Sequence, residues 1–215
     1  MITTKTDREN SIEATEFVWD TSQNTEVHKY VRPILKKWIS PDSKIDLLDL
    51  GCGNGVLTSQ IACSNITCCG TDFSESGIEI AKKNFPEVDF FQSFMQTTLP
   101  KDHISSYDLV ISVEVIEHLL LPRELFNRAK EALKPGGLLI VSTPYHGYFK
   151  NLALALANKF DAHWHPLRDY GHVKFFSLDT LKQLFIEEGF EIEEIALVGR
   201  VPIFARSMMI KGKLL

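Results

Sequence analysis

Two carboxylates and an imidazole stand close together in Ser112-Val113-Glu114-Val115-Ile116-Glu117-His118-Leu119. If the chain turns helical at Glu114, then Glu114, Glu117 and His118 occupy positions i, i+3 and i+4 and share one face. Oxygen and nitrogen donors converging in this way suit a divalent cation such as Mg²⁺ or an acid–base pair. The alternative is that Glu117 and His118 only cap and orient the local backbone.

Such groups need a pocket, and Lys44-Ile45-Asp46-Leu47-Leu48-Asp49-Leu50-Gly51-Cys52-Gly53-Asn54-Gly55-Val56-Leu57 is built like the floor of one. An apolar strand runs into three alternate glycines and then a helix, so a ligand can approach the backbone closely. Asp49 stands at the carboxyl end of the strand, where open α/β sheets bind ligands, and the helix that follows offers free N–H groups. The spacing G-x-G-x-G is not the G-x-G-x-x-G of dinucleotide sites. Asp72 closes Thr67-Cys68-Cys69-Gly70-Thr71-Asp72-Phe73-Ser74, 21 residues after Gly51. A carboxylate ending a second strand suits a pair of ribose hydroxyls, since it accepts both hydrogen bonds at once. An ordinary turn with a surface aspartate is the alternative.

The elements that would position these residues alternate between strand and helix, the pattern of a parallel sheet covered on both faces. Strands are expected near Lys44–Leu50, Thr67–Thr71, Val88–Gln92, Tyr107–Ser112, Leu138–Thr143, Glu191–Val198 and Met208–Lys211. Helices are expected near Glu26–Ile39, Gly55–Ala62, Glu75–Phe85, Pro122–Leu133 and Leu178–Glu188. Ser40-Pro41 ends the first helix, Lys134-Pro135-Gly136-Gly137 reads as a turn, and Glu188-Gly189-Phe190 reads as a helix cap leading into a strand. The fold class is α/β, a Rossmann-like three-layer sandwich around a mostly parallel seven-stranded sheet with an antiparallel final strand. One domain spans residues 1–215, with an amino-terminal arm and cap helix over 1–40. In the arm, Phe17-Val18-Trp19-Asp20 either closes over a substrate or staples the arm to the body. Residues 144–176 form an insertion with an Ala/Leu-rich helix, Lys150 to Phe160, and a His/Trp/Arg-rich stretch after it. This insertion is either a lid over the site or a surface hairpin.

At 215 residues the chain is long enough to bury a two-sided sheet core, and 44% hydrophobic with 24% charged residues fits a globular protein. A net charge of −5 with no block of Lys and Arg argues against general nucleic-acid affinity. No apolar run is long enough to span a bilayer and no signal peptide opens the chain, so a cytoplasmic monomer or homodimer acting on a small molecule is expected. The cysteines, Cys52, Cys63, Cys68 and Cys69, lack metal-site spacing and read as small buried residues.

Taken together, D-L-G-C-G-N-G and G-T-D-F-S resemble the class I S-adenosylmethionine-dependent methyltransferases from about Lys44 to near the C-terminus. Glu-Val-Ile-Glu-His, followed later by Gly171-His172-Val173-Lys174-Phe175-Phe176, is similar to the O-methyltransferases of ubiquinone biosynthesis. It is also similar to the metal ligands of the small-RNA 3′-terminal 2′-O-methyltransferases. The resemblance implies cofactor contacts at Gly51, Asp72 and Val113, with Arg32 reaching the methionine carboxylate; Asp49, Gly53 and Phe73 of the same motifs complete the set. It implies a metal set of Glu114, Glu117, His118 and His172, with Glu117, His118 and His172 as catalytic candidates. Many relatives have Gly-Asp-Ala after the third strand where this chain has Ser93-Phe94-Met95, which leaves adenine to the Phe94 ring and backbone groups. The implied reaction is direct in-line displacement of the methyl group by an acceptor oxygen. Methylation of an RNA 3′ end or of a nitrogen or carbon acceptor, a nicotinamide-dependent dehydrogenase and a non-catalytic S-adenosylmethionine-binding module are the competing readings.

Overall fold

Alternation with period two along the central strands dictates how the layers assemble. In the computed structural model, which describes Trp19 and residues 25–39, 43–164, 166–167 and 171–215, the chain runs through α1 (His28–Trp38), β1 (Ile45–Leu50), α2 (Val56–Ile61), β2 (Ile66–Asp72), α3 (Glu75–Asn84) and β3 (Asp89–Gln92). It continues through β4 (Tyr107–Val113), α4 (Arg123–Ala132), β5 (Leu133–Pro144), α5 (Tyr148–Leu156), α6 (Phe160–Trp164), α7 (Leu178–Glu187), β6 (Phe190–Val198) and β7 (Ser207–Leu214). Phe17, Val18, Asp20, Ser40, Pro41, His165, Arg168, Asp169 and Tyr170 lie outside the described residues.

Strand order is β3-β2-β1-β4-β5-β7-β6. All neighbours pair parallel except β7, which is antiparallel to both β5 and β6. Leu47, Leu109, Ile111, Ile140 and Met209 point to one face and pack under α1, α2 and α3 through Val31, Leu35, Leu57, Ile61, Ile78 and Ala81. Their neighbours Leu48, Leu50, Val110, Leu139, Val141 and Met208 point to the other and pack under α4 and α7. A strand buried on both faces carries an unbroken apolar run, and that is what these segments show. Because β1 and β4 are adjacent while their following helices cover opposite faces, a crevice opens at their carboxyl ends.

Several local expectations are corrected. The helix expected over Lys150–Phe160 is two pieces, α5 and α6, separated where Asn158 takes φ +51°; Asn tolerates the left-handed region that ends a helix. Lys134–Gly137 is an excursion within β5 between the pairs Tyr107↔Leu133 and Leu109↔Leu138, not a turn between elements. Cys52, Cys68 and Cys69 are buried, but Cys63 is exposed in the tight connection from α2 to β2. Ser74 caps α3 by accepting the Gly77 N–H at 3.1 Å, and Ser177 and Thr180 form a reciprocal cap on α7. No helix among the described residues is long and apolar enough to cross a membrane.

Phe126 is fully buried, edge-on to Phe185 and Phe190 at centroid distances of 5.1 and 5.8 Å. Phe126→Ala is expected to lower unfolding free energy by about 3–5 kcal/mol. Urea denaturation followed by circular dichroism measures it, and a loss under about 1 kcal/mol would mean that the α4–α7 layer does not carry this core.

Candidate functional site

The glycine turn after β1 is tied to β2 by the Gly51 and Cys52 N–H groups, which both donate to the Thr71 carbonyl, at 2.8 and 3.0 Å. Gly51 and Gly53 adopt φ +85° and +54°. A Cβ at Gly51 would lie 2.4 Å from Val115 Cγ2, and one at Gly53 would lie 2.4 Å from Trp19 Cζ2. Only glycine fits either place. Asp72 accepts the Gly53 N–H at Oδ2 (2.8 Å) and the Ser74 N–H at Oδ1 (2.9 Å). Asp49 is buried and accepts the Thr58 hydroxyl at 2.6 Å; burial pushes its carboxyl up to about 7, with the nearby Asp72 charge adding and Thr58 opposing.

A cavity of about 700 Å³ opens over this turn, within the roughly 300–1,000 Å³ of small-molecule sites. Of the residues singled out from the sequence, Asp49, Gly51, Gly53, Asp72, Phe73, Phe94, Val113, Glu114, Glu117, His118 and His172 all line it. Arg32 does not. Its guanidinium instead donates to Gln60 Oε1 at 2.7 Å. Trp19, from the stretch expected either to close over a substrate or to staple the arm to the body, lines the cavity, and so do Thr25 and His28, which the sequence did not single out as site residues. The His28 imidazole is pushed down to about 4 by burial and by the Arg32 charge. Nothing in the sequence pattern distinguishes His28 from its neighbours on the helix.

The helical face expected from Glu114 to His118 does not form. Glu114 takes φ +57°, and only a single 3-10 turn, Ile116–His118, follows. Its carboxylate turns to Ser142, whose hydroxyl donates to Oε1 at 2.9 Å, and burial pushes it up to about 7 against the Ser142 and Ser207 hydroxyls. Glu114 therefore stands apart from the group that can hold an ion, which is Glu117, His118 and His172, with ligand atoms within 4.8 Å of one another. Ligands opposite each other on Mg²⁺ stand about 4.2 Å apart, so the three ligand atoms lie slightly wider than an ion would hold them.

What joins these three is backbone pairing. The Glu117 carbonyl accepts the Val173 and Lys174 N–H groups at 2.8 and 3.0 Å, which lays His172 over Glu117. Glu117 is 1% exposed; Oε2 accepts the Thr143 hydroxyl at 2.9 Å, while Oε1 has no hydrogen-bond partner among the described residues and faces His172 Nε2 at 4.0 Å. Burial and the Glu114 charge hold this carboxyl well above the usual carboxylate range. The His118 and His172 rings meet edge-on at 4.8 Å, and His118 Nδ1 lies 3.3 Å from the Gly171 carbonyl. A buried acceptor left unpaired beside two imidazoles is a place for a proton or a cation.

A nucleoside with a charged tail suits the other half of the cavity, since Phe73 and Phe94 expose rings to a flat base and Asp72 offers acceptor oxygens beside a turn with no side chains. The sequence profile of a family described as a methyltransferase domain matches residues 23–195. The ubiquinone biosynthesis O-methyltransferase of Rickettsia typhi is 26% identical over 168 residues, covering 78% of this chain and 68% of that protein. Across this group of curated relatives the chain spans between 61% and 70% of their lengths. Magnesium protoporphyrin IX methyltransferase from Synechocystis PCC 6803 with bound SAH superposes with a TM-score of 0.66 at 17% identity, covering 98% of this chain and 95% of that one. The [4+2]-cyclase SpnF superposes with a TM-score of 0.64 at 16% identity, covering 86% and 79%. At such identities the two structures speak to the fold alone. The profile spans most of the chain, including the glycine turn, Asp72 and the Glu117 turn, so the chain belongs to the methyltransferase domain family and is a class I S-adenosylmethionine-dependent methyltransferase.

Proposed function

We propose that the protein methylates an oxygen of a small-molecule acceptor, with Glu117, His118 and His172 holding a divalent cation where the acceptor hydroxyl sits. The observation that carries this is the unpaired, buried Glu117 Oε1 beside two imidazoles, in the same cavity as the glycine turn. One carboxylate oxygen with two nitrogens and no thiolate suits Mg²⁺, Mn²⁺ or Zn²⁺, and a cation there lowers a hydroxyl pKa toward neutrality. The name of the Rickettsia relative favours oxygen over nitrogen or carbon. A net charge of −5 favours a small molecule over an RNA end.

Bound S-adenosylmethionine supplies an electrophilic methyl group on a sulfonium. In this reading the turn amides and Asp72 hold the ribose end, the Phe94 ring covers the base, and Val113 flanks the transfer point at the end of β4. With Arg32 engaged by Gln60, the methionine carboxylate falls to the turn and the α2 amides. Thr143 keeps Oε2 of Glu117 occupied, so that Oε1 alone faces His172 and the acceptor. Residues 144–176 act as the cover of a single domain, tethered over the site by the pairing of Val173 and Lys174 with Glu117. Holding acceptor and methyl donor in line supplies much of the rate.

Asp72→Ala removes a charged acceptor, and a loss of about 2–3 kcal/mol in S-adenosylmethionine affinity is expected by calorimetry; unchanged affinity removes ribose recognition from this residue. Glu117→Gln is expected to lower kcat by about 10²–10⁴-fold while cofactor affinity holds. Activity on hydroxylated acceptors should fall in excess chelator and return with Mg²⁺ or Mn²⁺. Full activity in chelator, with Glu117→Gln still active, sinks the cation and leaves His172 or His118 as the base. No residue of α5 or α6 is buried, so amide exchange there should be fast in the free protein and slow when cofactor and acceptor are present. Exchange as slow as in the sheet and indifferent to ligand would make the insertion a structural hairpin.

A further inference from the structure

The insertion turns its most apolar helix outward. Along α5, Phe149, Leu152 and Leu156 repeat at i, i+3 and i+7 and so form one stripe, with Tyr148 set edge-on to Phe149 beside it. These four side chains are between 42% and 81% exposed, and no residue of α5 is buried. The 3-10 turn Pro202–Phe204 packs beside the helix and extends the apolar surface, with Val201, Ile203 and Phe204 between 38% and 61% exposed. Apolar side chains scattered singly over a surface need no explanation, but a set gathered from two neighbouring segments marks a place of contact.

The backbone beneath this surface is pinned. The Arg206 N–H donates to the Val198 carbonyl at 2.8 Å, the Tyr145 N–H donates to the Arg206 carbonyl at 3.0 Å, and Ala205 between them and the turn is fully buried. Lys150 Nζ ties α5 to the same framework by donating to the Tyr145 carbonyl at 2.7 Å. Around the apolar side chains the charge is one-sided. Residues 144–164 and 199–206 carry Lys150, Lys159, Arg200 and Arg206 against Asp161 alone, a balance of +3 on a chain whose net charge is −5. Arg206 meets only the exposed Glu26 carboxylate, at 3.8 Å, and among the described residues Lys159 and Arg200 have no acid within ion-pair distance.

An apolar helix lying on the surface, with aromatic rings at its start and cations around it, matches the boundary of an anionic bilayer. The stripe enters the acyl region, the Tyr148 hydroxyl stays among the headgroups, and the long cationic side chains reach the phosphates. A second copy of the chain is a poorer match, because pairing this face with itself brings like charges together. We propose that α5 and the Pro202–Phe204 turn form a docking face for an anionic lipid bilayer, to which the protein binds peripherally and reversibly. The inference is independent of which atom accepts the methyl group.

The test is flotation of the SAH-saturated full chain with vesicles of phosphatidylcholine alone and of phosphatidylcholine mixed with an equal amount of phosphatidylglycerol. Binding to the anionic vesicles is expected to be about tenfold or more tighter than to the neutral ones and to weaken as salt rises. Phe149→Ser with Leu156→Ser should lower that binding by about tenfold or more. Lys159→Gln with Arg200→Gln should lower it by about tenfold and flatten its salt dependence. All four positions are exposed, so SAH is expected to bind each variant as before, which also shows that the variants are folded. No flotation with anionic vesicles, equal flotation with both kinds, or binding untouched in the Phe149/Leu156 variant overturns the docking face. Sedimentation velocity reads out the rival occupant: a dimer that the Phe149/Leu156 variant splits, in a protein that ignores vesicles, overturns lipid docking in favour of self-association.

Discussion

Asp72 sits between Gly53 and Ser74 and accepts one N–H from each, so a single buried carboxylate joins the glycine turn after β1 to the cap of α3. Hydrogen bonds to a charged acceptor contribute on the order of 1.5–3 kcal/mol each. The bond from Gly53 fixes the turn at a residue with positive φ, and the bond from Ser74 fixes the start of α3 beside it. The consequences spread outward. With Gly53 fixed, the Trp19 ring packs on it and against Gly77, where an added Cβ would lie 2.9 Å from Trp19 Cδ1. This wall of the cavity is thus formed by three segments far apart in sequence and held by one acid.

The opposite wall is organised by a carbonyl instead. Glu117 lies in a 3-10 turn, whose short run leaves its backbone oxygen available for Val173 and Lys174. That pairing ties the insertion to the end of β4. It brings His172 to the one carboxylate oxygen without a partner, and it does so through atoms that any residue possesses. The specificity of the arrangement lies elsewhere, in Thr143 on β5, which occupies Oε2 and so decides which oxygen remains. A buried carboxylate held by Thr143 and turned toward His172 leaves little to reorganise on its own side when charge arrives.

The sheet was legible because burial on both faces leaves a periodic trace. Strands around Leu47–Leu50, Leu109–Val113 and Leu138–Val141 read as apolar runs, and the glycine turn and Asp72 stood at their ends. The failures have local physical causes. Nothing in Val113-Glu114-Val115 announces that Glu114 will take a positive φ, which is unusual for that residue type, so a helical spacing was assigned where the chain makes a 3-10 turn. Asn158 breaks the insertion helix in the same way. Arg32 carries the right charge on the right helix, yet its partner Gln60 is set by how α1 packs on α2, a tertiary fact. His28 and Trp19 line the cavity through tertiary placement that no local pattern encodes.

Strand β1 shows how burial separates two acids of the same type. It carries two aspartates. Asp46, at the half-open end, lies 3.4 Å from Lys134 in a surface ion pair, an arrangement of little energetic weight. Asp49, three residues on, is enclosed between the two core layers, and its folded-state pKa is raised from 3.8 to about 7. The sign of the linkage follows. A carboxyl whose pKa is raised by folding favours the native state fully below its unfolded pKa, and that contribution is lost as pH rises from about 3.8 through about 7. Near neutrality the empty fold therefore carries Asp49 at a cost that an apolar residue in this strand would avoid. A ligand that binds only the folded chain offsets that cost by mass action. An acid with a raised pKa, set at the carboxyl edge of the central strand beside a turn without side chains, is the kind of local compromise that sequences make where a site is built.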